Sequence, residues 1–250
     1  MSHASISEIR DPLQYYLPSH ISLCTLDDGL IVLNQKSRRY FSLPGECATA
    51  LAAVSAEWRA CGTYSPEPNM VERDITATLA TLVKRGILTC DPKLGRPIQP
   101  LRIGVSEGID FGWGAEEHVT LRPLNVASFF VALLRAMISL YLIPFHRVVT
   151  RIRRRRDRFH SESDGRGLET VKDLVIQFRR LRPLAYSSRG ACLFDSLVLL
   201  EFLALHSVYP TWVLGVRSRP FLAHSWVQYD RCVLNGTVEY VEQFTPILIV

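Results

Sequence analysis

Over the first ninety residues the apolar positions come in short bursts, and after that they settle into helical periods. HISLCT (20–25), LIVLN (30–34) and RYFSL (39–43) are brief runs of Ile, Val, Leu and aromatics, the pattern of strands. Asp27-Asp28-Gly29 and Gln35-Lys36-Ser37 supply the turns between them. Pro44 ends the third run, and the alanine-rich GECATALAAVSAEWRA (45–60) predicts a helix. VERDITATLATLVKR (71–85) spaces Val71, Ile75, Leu79, Leu82 and Val83 by three and four, which puts them on one face of a second helix. Gly86 fits its C-cap, and ILTC (87–90) reads as a returning strand.

Three strands, two helices and a last strand have a winged-helix-like order, so residues 1–92 are expected to form one small domain. Pro92, Gly95, Pro97, Pro100, Gly104, Gly108, Gly112 and Gly114 then break any periodicity, which marks 93–122 as a linker. Residues 126–145 are mostly apolar and arginines follow them, so a membrane span has to be weighed. Arg135 sits in the middle of that stretch, a costly place in a bilayer, and Pro144 interrupts its end. A buried core helix broken near Pro144 is the reading taken, with no membrane contact. LETVKDLVIQFRRL (168–181) is a further amphipathic helix. Leu193 to His206 is apolar nearly all round, as a helix buried in a core would be. TWVLGVR (211–217), FLAHSWVQY (221–229) and CVLNGTVEYV (232–241) read as three antiparallel strands, and FTPILIV (244–250) as a terminal one. Residues 123–250 therefore form a second domain, and the fold class is α+β.

Composition narrows the function classes. The chain has 250 residues, 48% hydrophobic and 21% charged, which excludes a disordered or collagen-like protein. Its six cysteines contain no C-x-x-C or C-x-x-H pair, so no metal site is expected. MSHASISEIRDP lacks an apolar signal region, and a cytoplasmic location with reduced thiols is expected. The net charge of +5 is local. Residues 151–182 hold 11 Lys/Arg against 5 Asp/Glu, while the rest holds 18 against 19. A single run, RIRRRRDRF (151–159), without interleaved aromatics is a weak nucleic-acid footprint. It reads as a solvated helix end, and no nucleic-acid partner is expected.

The candidate chemistry lies in the last seventy residues. Cys192 opens the apolar helix, where unpaired backbone N–H groups and the positive dipole end favour a thiolate. A cysteine there is commonly just a small core residue. His224, on the alternating strand that also carries Trp226 and Gln228, changes that balance. A helix led by Cys and packed on a sheet that presents a His is the layout of a thiolate–imidazolium pair.

The stretch GACLFDSLVLLEFLALHSVYPTWVLGVRSRPFLAHSWVQYDRCVLN resembles the lasso-peptide biosynthesis B proteins, leader peptidases with a transglutaminase-like, papain-like fold. Cys-Leu-x-x-Ser-Leu at 192–197, Gly215-Val216, Pro220-Phe221 and Ala223-His224-x-Trp226-Val227 carry the resemblance. LIVLNQKSRRYFSL and LVKRGIL resemble, less specifically, the PqqD-like leader-recognition element fused to many of these proteins. The resemblance implies that the N-terminal domain captures a precursor's leader as an added strand beside RYFSL and against the 71–85 helix, with Tyr40, Phe41, Leu79 and Leu82 as contacts. It also implies that Cys192 attacks the leader–core bond, with His224 as base and then acid. No cofactor is implied. The partners would be the precursor peptide and an asparagine-synthetase-like, ATP-using lasso cyclase. No phosphate-binding Gly-rich loop occurs here, so any ATP use belongs to that partner.

One departure stands out. The family has an Asn-Asp pair after the His-bearing hairpin, and its Asp orients the imidazole; this chain has Asn235-Gly236. Asn235 serves as third member if the hairpin register pairs 226 with 235. Asp230 is the lesser candidate, at the hairpin tip. Otherwise packing alone holds His224. Besides the peptidase, a catalytically degenerate delivery protein and an acyl transferase of the same Cys–His layout remain open.

Overall fold

The computed structural model describes residues 14–26, 29–60, 72–109, 121–163, 167–187 and 190–250. The Asp27-Asp28 turn, Val71 and residues 110–120 of the expected linker lie outside them. The N-terminal elements are β1 (Leu17–Pro18), β2 (Ile21–Leu26), β3 (Gly29–Asn34), β4 (Arg39–Leu43), α1 (Gly45–Val54), α2 (Ala56–Ala60) and α3 (Glu72–Lys84). Strands β2, β3 and β4 form an antiparallel meander with β4 at one edge. Both faces of β2 and β3 are covered. Ile21, Leu23, Leu30 and Val32 join a core with Leu51, Leu79 and Leu82 from α1 and α3. Cys24 and Leu33 point the other way, into the core of the C-terminal half. That double burial is why LIVLN is an unbroken apolar run.

The helix expected over 45–60 is interrupted at Ser55, whose backbone is extended. The Ser55 hydroxyl donates to the Ile98 carbonyl (2.7 Å) and accepts from the Trp58 N–H (3.2 Å), which caps the next helical turn. The last strand expected at 87–90 is only a single bridge, Thr89 to Tyr16. The stretch expected as a linker is partly built into sheets. Its β5 (Gly95–Arg96) pairs with β1, and its β6 (Glu107–Gly108) joins the C-terminal sheet.

The C-terminal half runs α4 (Pro123–Tyr141), α5 (Phe145–Ser163), α6 (Leu168–Leu181), a 3-10 turn at Arg182–Leu184, α7 (Cys192–Leu205), β7 (Thr211–Arg217), β8 (Leu222–Tyr229), β9 (Cys232–Val233), α8 (Val238–Val241) and β10 (Thr245–Ile249). The sheet order is β10-β7-β8-β9-β6, antiparallel except for the β9–β6 pair. Helix α7 lies on this sheet with α4 and α6 packed around it. The third strand stops at Val233 rather than running to 241: the chain turns at Asn235-Gly236, and 238–241 close a single helical turn.

The break near Pro144 falls between α4 and α5, but α4 is not wholly a core helix. Phe129, Ala132, Ala136 and Ser139 face inward, while Phe130, Leu134, Met137 and Tyr141 are exposed. Every third or fourth residue is apolar on both sides, so the sequence alone does not distinguish one buried face from two. By length and composition α4 could cross a membrane. The arginine run differs from expectation as well. Arg151, which stays 43% exposed, and the part-buried Arg155 both reach Glu201 in the buried middle of α7, each at 2.9 Å, and Arg153 donates to the Ile249 carbonyl.

Candidate active site

Gly190 takes a left-handed φ of +71, which turns the chain sharply so that α7 can begin at Cys192. Among the described residues no side chain caps that end, which leaves the first N–H groups of α7 open around the Cys192 backbone. Among the other described cysteines, Cys24 and Cys232 are buried thiols whose pKa burial pushes up to about 12 and about 11. Cys90 is exposed, and Cys61 lies outside the described residues.

His224 stands on β8 directly opposite Gly215 of β7. A Cβ on Gly215 would lie 2.8 Å from both the Phe244 Cβ and the Trp226 ring, so only glycine lets these groups close up behind the imidazole. The imidazole stacks on Trp226 (6.1 Å, 16°) and meets the Tyr240 ring edgewise at 4.9 Å. Cys192 and His224 line one cavity of about 200 Å3, walled by Leu33 and Tyr40 from the N-terminal sheet and by Phe145 and Leu214. The structure thus brings the two sequence-derived candidates together, 32 residues apart in the chain.

The third position is more complicated. The β8–β9 register pairs Gln228 with Val233, and the Leu234 N–H reaches the Val227 carbonyl, so Asn235 does fall across from Trp226. Its amide, however, is spent elsewhere. The oxygen accepts from the Val227 N–H (2.8 Å), and the nitrogen donates to Asp195 (3.1 Å) and Ser196 (3.2 Å). Asn235 therefore ties β8 to the first turns of α7, the strand of His224 to the helix of Cys192. The His224 Nε2 is buried and has no hydrogen-bond partner among the described residues. Asp230 is exposed at the hairpin turn with φ +50. Six strand residues beyond His224, it is about 20 Å away at ~3.3 Å per residue, too far to orient the ring.

Asp195, three residues after Cys192, escaped the sequence reading. It is 3% exposed and accepts from the Tyr186 hydroxyl (3.0 Å) and Arg182 (3.4 Å) as well as Asn235. Burial first, and the Asp195 charge second, drive the Tyr186 hydroxyl far above the phenol range, which keeps it a donor. The available signal was a carboxylate inside an apolar helix, which has to be paired. For His224, burial pulls the pKa below its ordinary value, and the Asp195 carboxylate pushes weakly the other way. A proton-NMR titration of His224 should give a midpoint below the ordinary imidazole value of about 6.5. Asp195→Asn should move it lower still; a midpoint that rises would show that Asp195 does not act on this ring. Between those two values the unfolded chain holds the proton more readily, so stability is lost as pH falls through the His224 pKa.

The expected leader contacts divide. Tyr40 and Phe41 lie on β4 with their side chains part-exposed and exposed, and Tyr40 meets Phe221 of the C-terminal half edge to face at 5.7 Å. Leu79 and Leu82 are 3% and 1% exposed inside the N-terminal core, so they do not offer a surface to a peptide. The period that marked one apolar face of α3 belongs to packing. Among the described residues no cluster of three or more His, Cys, Asp or Glu is placed to hold a metal ion.

Residues 130–249 match a family model described as the Transglutaminase-like superfamily. No curated protein and no solved structure matches the chain. The C-terminal half is thus a transglutaminase-like domain, of a superfamily that is generally cysteine-protease-like in its hydrolases. The match contains Cys192, His224 and Asn235, and it begins inside α4.

Proposed function

We propose that this transglutaminase-like domain is a cysteine leader peptidase of lasso-peptide maturation, and that the N-terminal unit is a PqqD-like element that holds the leader. The observation that carries the reading is the pairing of Cys192, at an uncapped helix start, with His224 across one cavity. His224 removes the Cys192 proton as sulfur bonds to the scissile carbonyl carbon. The C–N bond then breaks, and His224 returns that proton to the departing core amine. Water, deprotonated by the same imidazole, hydrolyses the thioester and releases the leader acid. A depressed His224 pKa suits the base role, since the ring rests neutral at pH 7. Among the described residues β4 is an edge strand, whose open side suits an added peptide strand, and tethering the leader there raises the local concentration of the bond to be cut. The freed core would pass to an ATP-using, asparagine-synthetase-like cyclase, and the expected setting is cytoplasmic.

The test is incubation of the full chain with the precursor peptide encoded beside it, followed by mass spectrometry. Release of the leader at one bond supports the reading. Tight binding without cleavage, even with the cyclase added, would make the protein a delivery module.

The buried His224 Nε2, which has no hydrogen-bond partner among the described residues, favours that second reading, because no carboxylate or amide orients the ring there. A Cβ on Gly236 would meet only Val241 and Val233, at 3.5 and 3.6 Å, so a side chain fits there. Gly236→Asp is therefore expected to speed cleavage and to raise the His224 pKa. An unchanged rate and titration would mean that the third position is not at 236.

A further inference from the structure

We propose that the cavity at Cys192 and His224 is a subsite for one apolar side chain of the peptide beside the scissile bond, and that Tyr40 of the recognition domain sets its size. This rests on the peptidase reading above. At about 200 Å3 the cavity is smaller than the ~300–1,000 Å3 that takes a whole small molecule, and it suits a single side chain. Its wall is apolar by commitment as well as by composition. The Arg38 guanidinium is spent on the carbonyls of Leu140 (3.0 Å) and Ile143 (2.9 Å) at the end of α4, and it lies over the Phe145 ring. The Ser225 hydroxyl accepts the Trp212 indole N–H at 2.8 Å. What remains facing the space is aliphatic and aromatic, apart from the Tyr40 hydroxyl and the two reacting groups. An acidic side chain entering it would lose its water and find no cation, with at most the Tyr40 and Ser225 hydroxyls to donate to it.

Leu33 and Tyr40 make the pocket a joint product of the two halves of the chain. The hairpin that carries them is fixed by the Arg38 contacts and by Leu33 packing into the C-terminal core. Tyr40 also lines a second, open groove with Phe41, Ser42 and Phe221, between the free edge of β4 and the β7–β8 turn. A strand laid along β4 therefore runs past the Tyr40–Phe221 pair to reach Cys192. Recognition and cleavage read one continuous stretch of peptide.

The test uses the full chain and precursor peptides in which the residues flanking the cleaved bond are varied one at a time among Ala, Leu, Phe, Trp and Asp. One position should prefer Leu or Phe over Asp by at least about tenfold in kcat/KM, since a fitted apolar pocket discriminates by about 10–200-fold. Tyr40→Ala should shift that preference towards Trp. Ala223→Leu, which fills the pocket from an exposed backbone position beside His224, should shift it towards Ala. The two variants can misfold in different ways, but neither misfolding produces opposite shifts in size preference. Cleavage with no position that prefers apolar over Asp, or variants that slow every peptide equally, would overturn the subsite and leave the peptidase standing. A wild type that cuts no peptide, with Cys192 alkylated at one rate by peptide chloromethyl ketones bearing Leu or Asp, would overturn both.

Discussion

Cys192→Ala is expected to hold the precursor as the wild type does and to release no leader, and His224→Ala to slow release by about 10²–10⁴-fold. The two differ in a second readout. With iodoacetamide and peptide mapping, wild-type Cys192 should react faster than Cys90, because His224 across the cavity can take its proton as sulfur attacks. Cys90 is exposed and serves as an internal standard, while the buried Cys24 and Cys232 should stay unlabelled. In His224→Ala the Cys192 rate should fall towards that of Cys90. Equal rates in the wild type would mean that His224 does not activate the thiol, and the cavity would then be a binding site alone.

The largest expected loss of stability lies away from the cavity. Glu201 is 2% exposed in the middle of α7, and its two oxygens are met by Arg151 and Arg155. Arg151→Ala with Arg155→Ala leaves a buried carboxylate without a counter-charge, a loss of about 3–5 kcal/mol. At ~2–4 °C per kcal/mol for a chain of this size, thermal unfolding should drop by about 10 °C. Adding Glu201→Leu to that pair should recover much of the loss, since no buried charge is then left unpaired. Arg147→Ala and Arg154→Ala, on exposed positions, should each change stability by less than about 0.5 kcal/mol. If all of these variants melt alike, the run is a solvated surface, as its composition suggested.

Local pattern was enough for much of the molecule. The meander at 20–43, the helix at 168–181, the helix opened by Cys192, the β7–β8 hairpin and the terminal strand all follow from period and turn chemistry, which are properties of near neighbours. The two residues proposed to react were legible for the same reason: one begins a helix and the other lies on an alternating strand. The Asn235 register was legible too, because a hairpin fixes its own pairing.

Contacts distant in sequence decided the rest. Leu79 and Leu82 make the same apolar stripe whether they face a peptide or a core, and only the packing of α3 on α1 and the sheet assigns them to the core. Asn235 was read as a partner for His224, yet its amide is consumed by Val227, Asp195 and Ser196, groups brought together only when α7 docks on the sheet. Glu201 and the arginines that serve it are 46 and 50 residues apart, so composition assigned a buried ion pair to solvent. Leu33 and Tyr40 reach the Cys192 cavity from a domain that the sequence separates from it by a proline-rich stretch. Periodicity reports which face of an element is apolar. What that face meets is a matter of tertiary structure, because a hydrophobic contact carries no direction and no address.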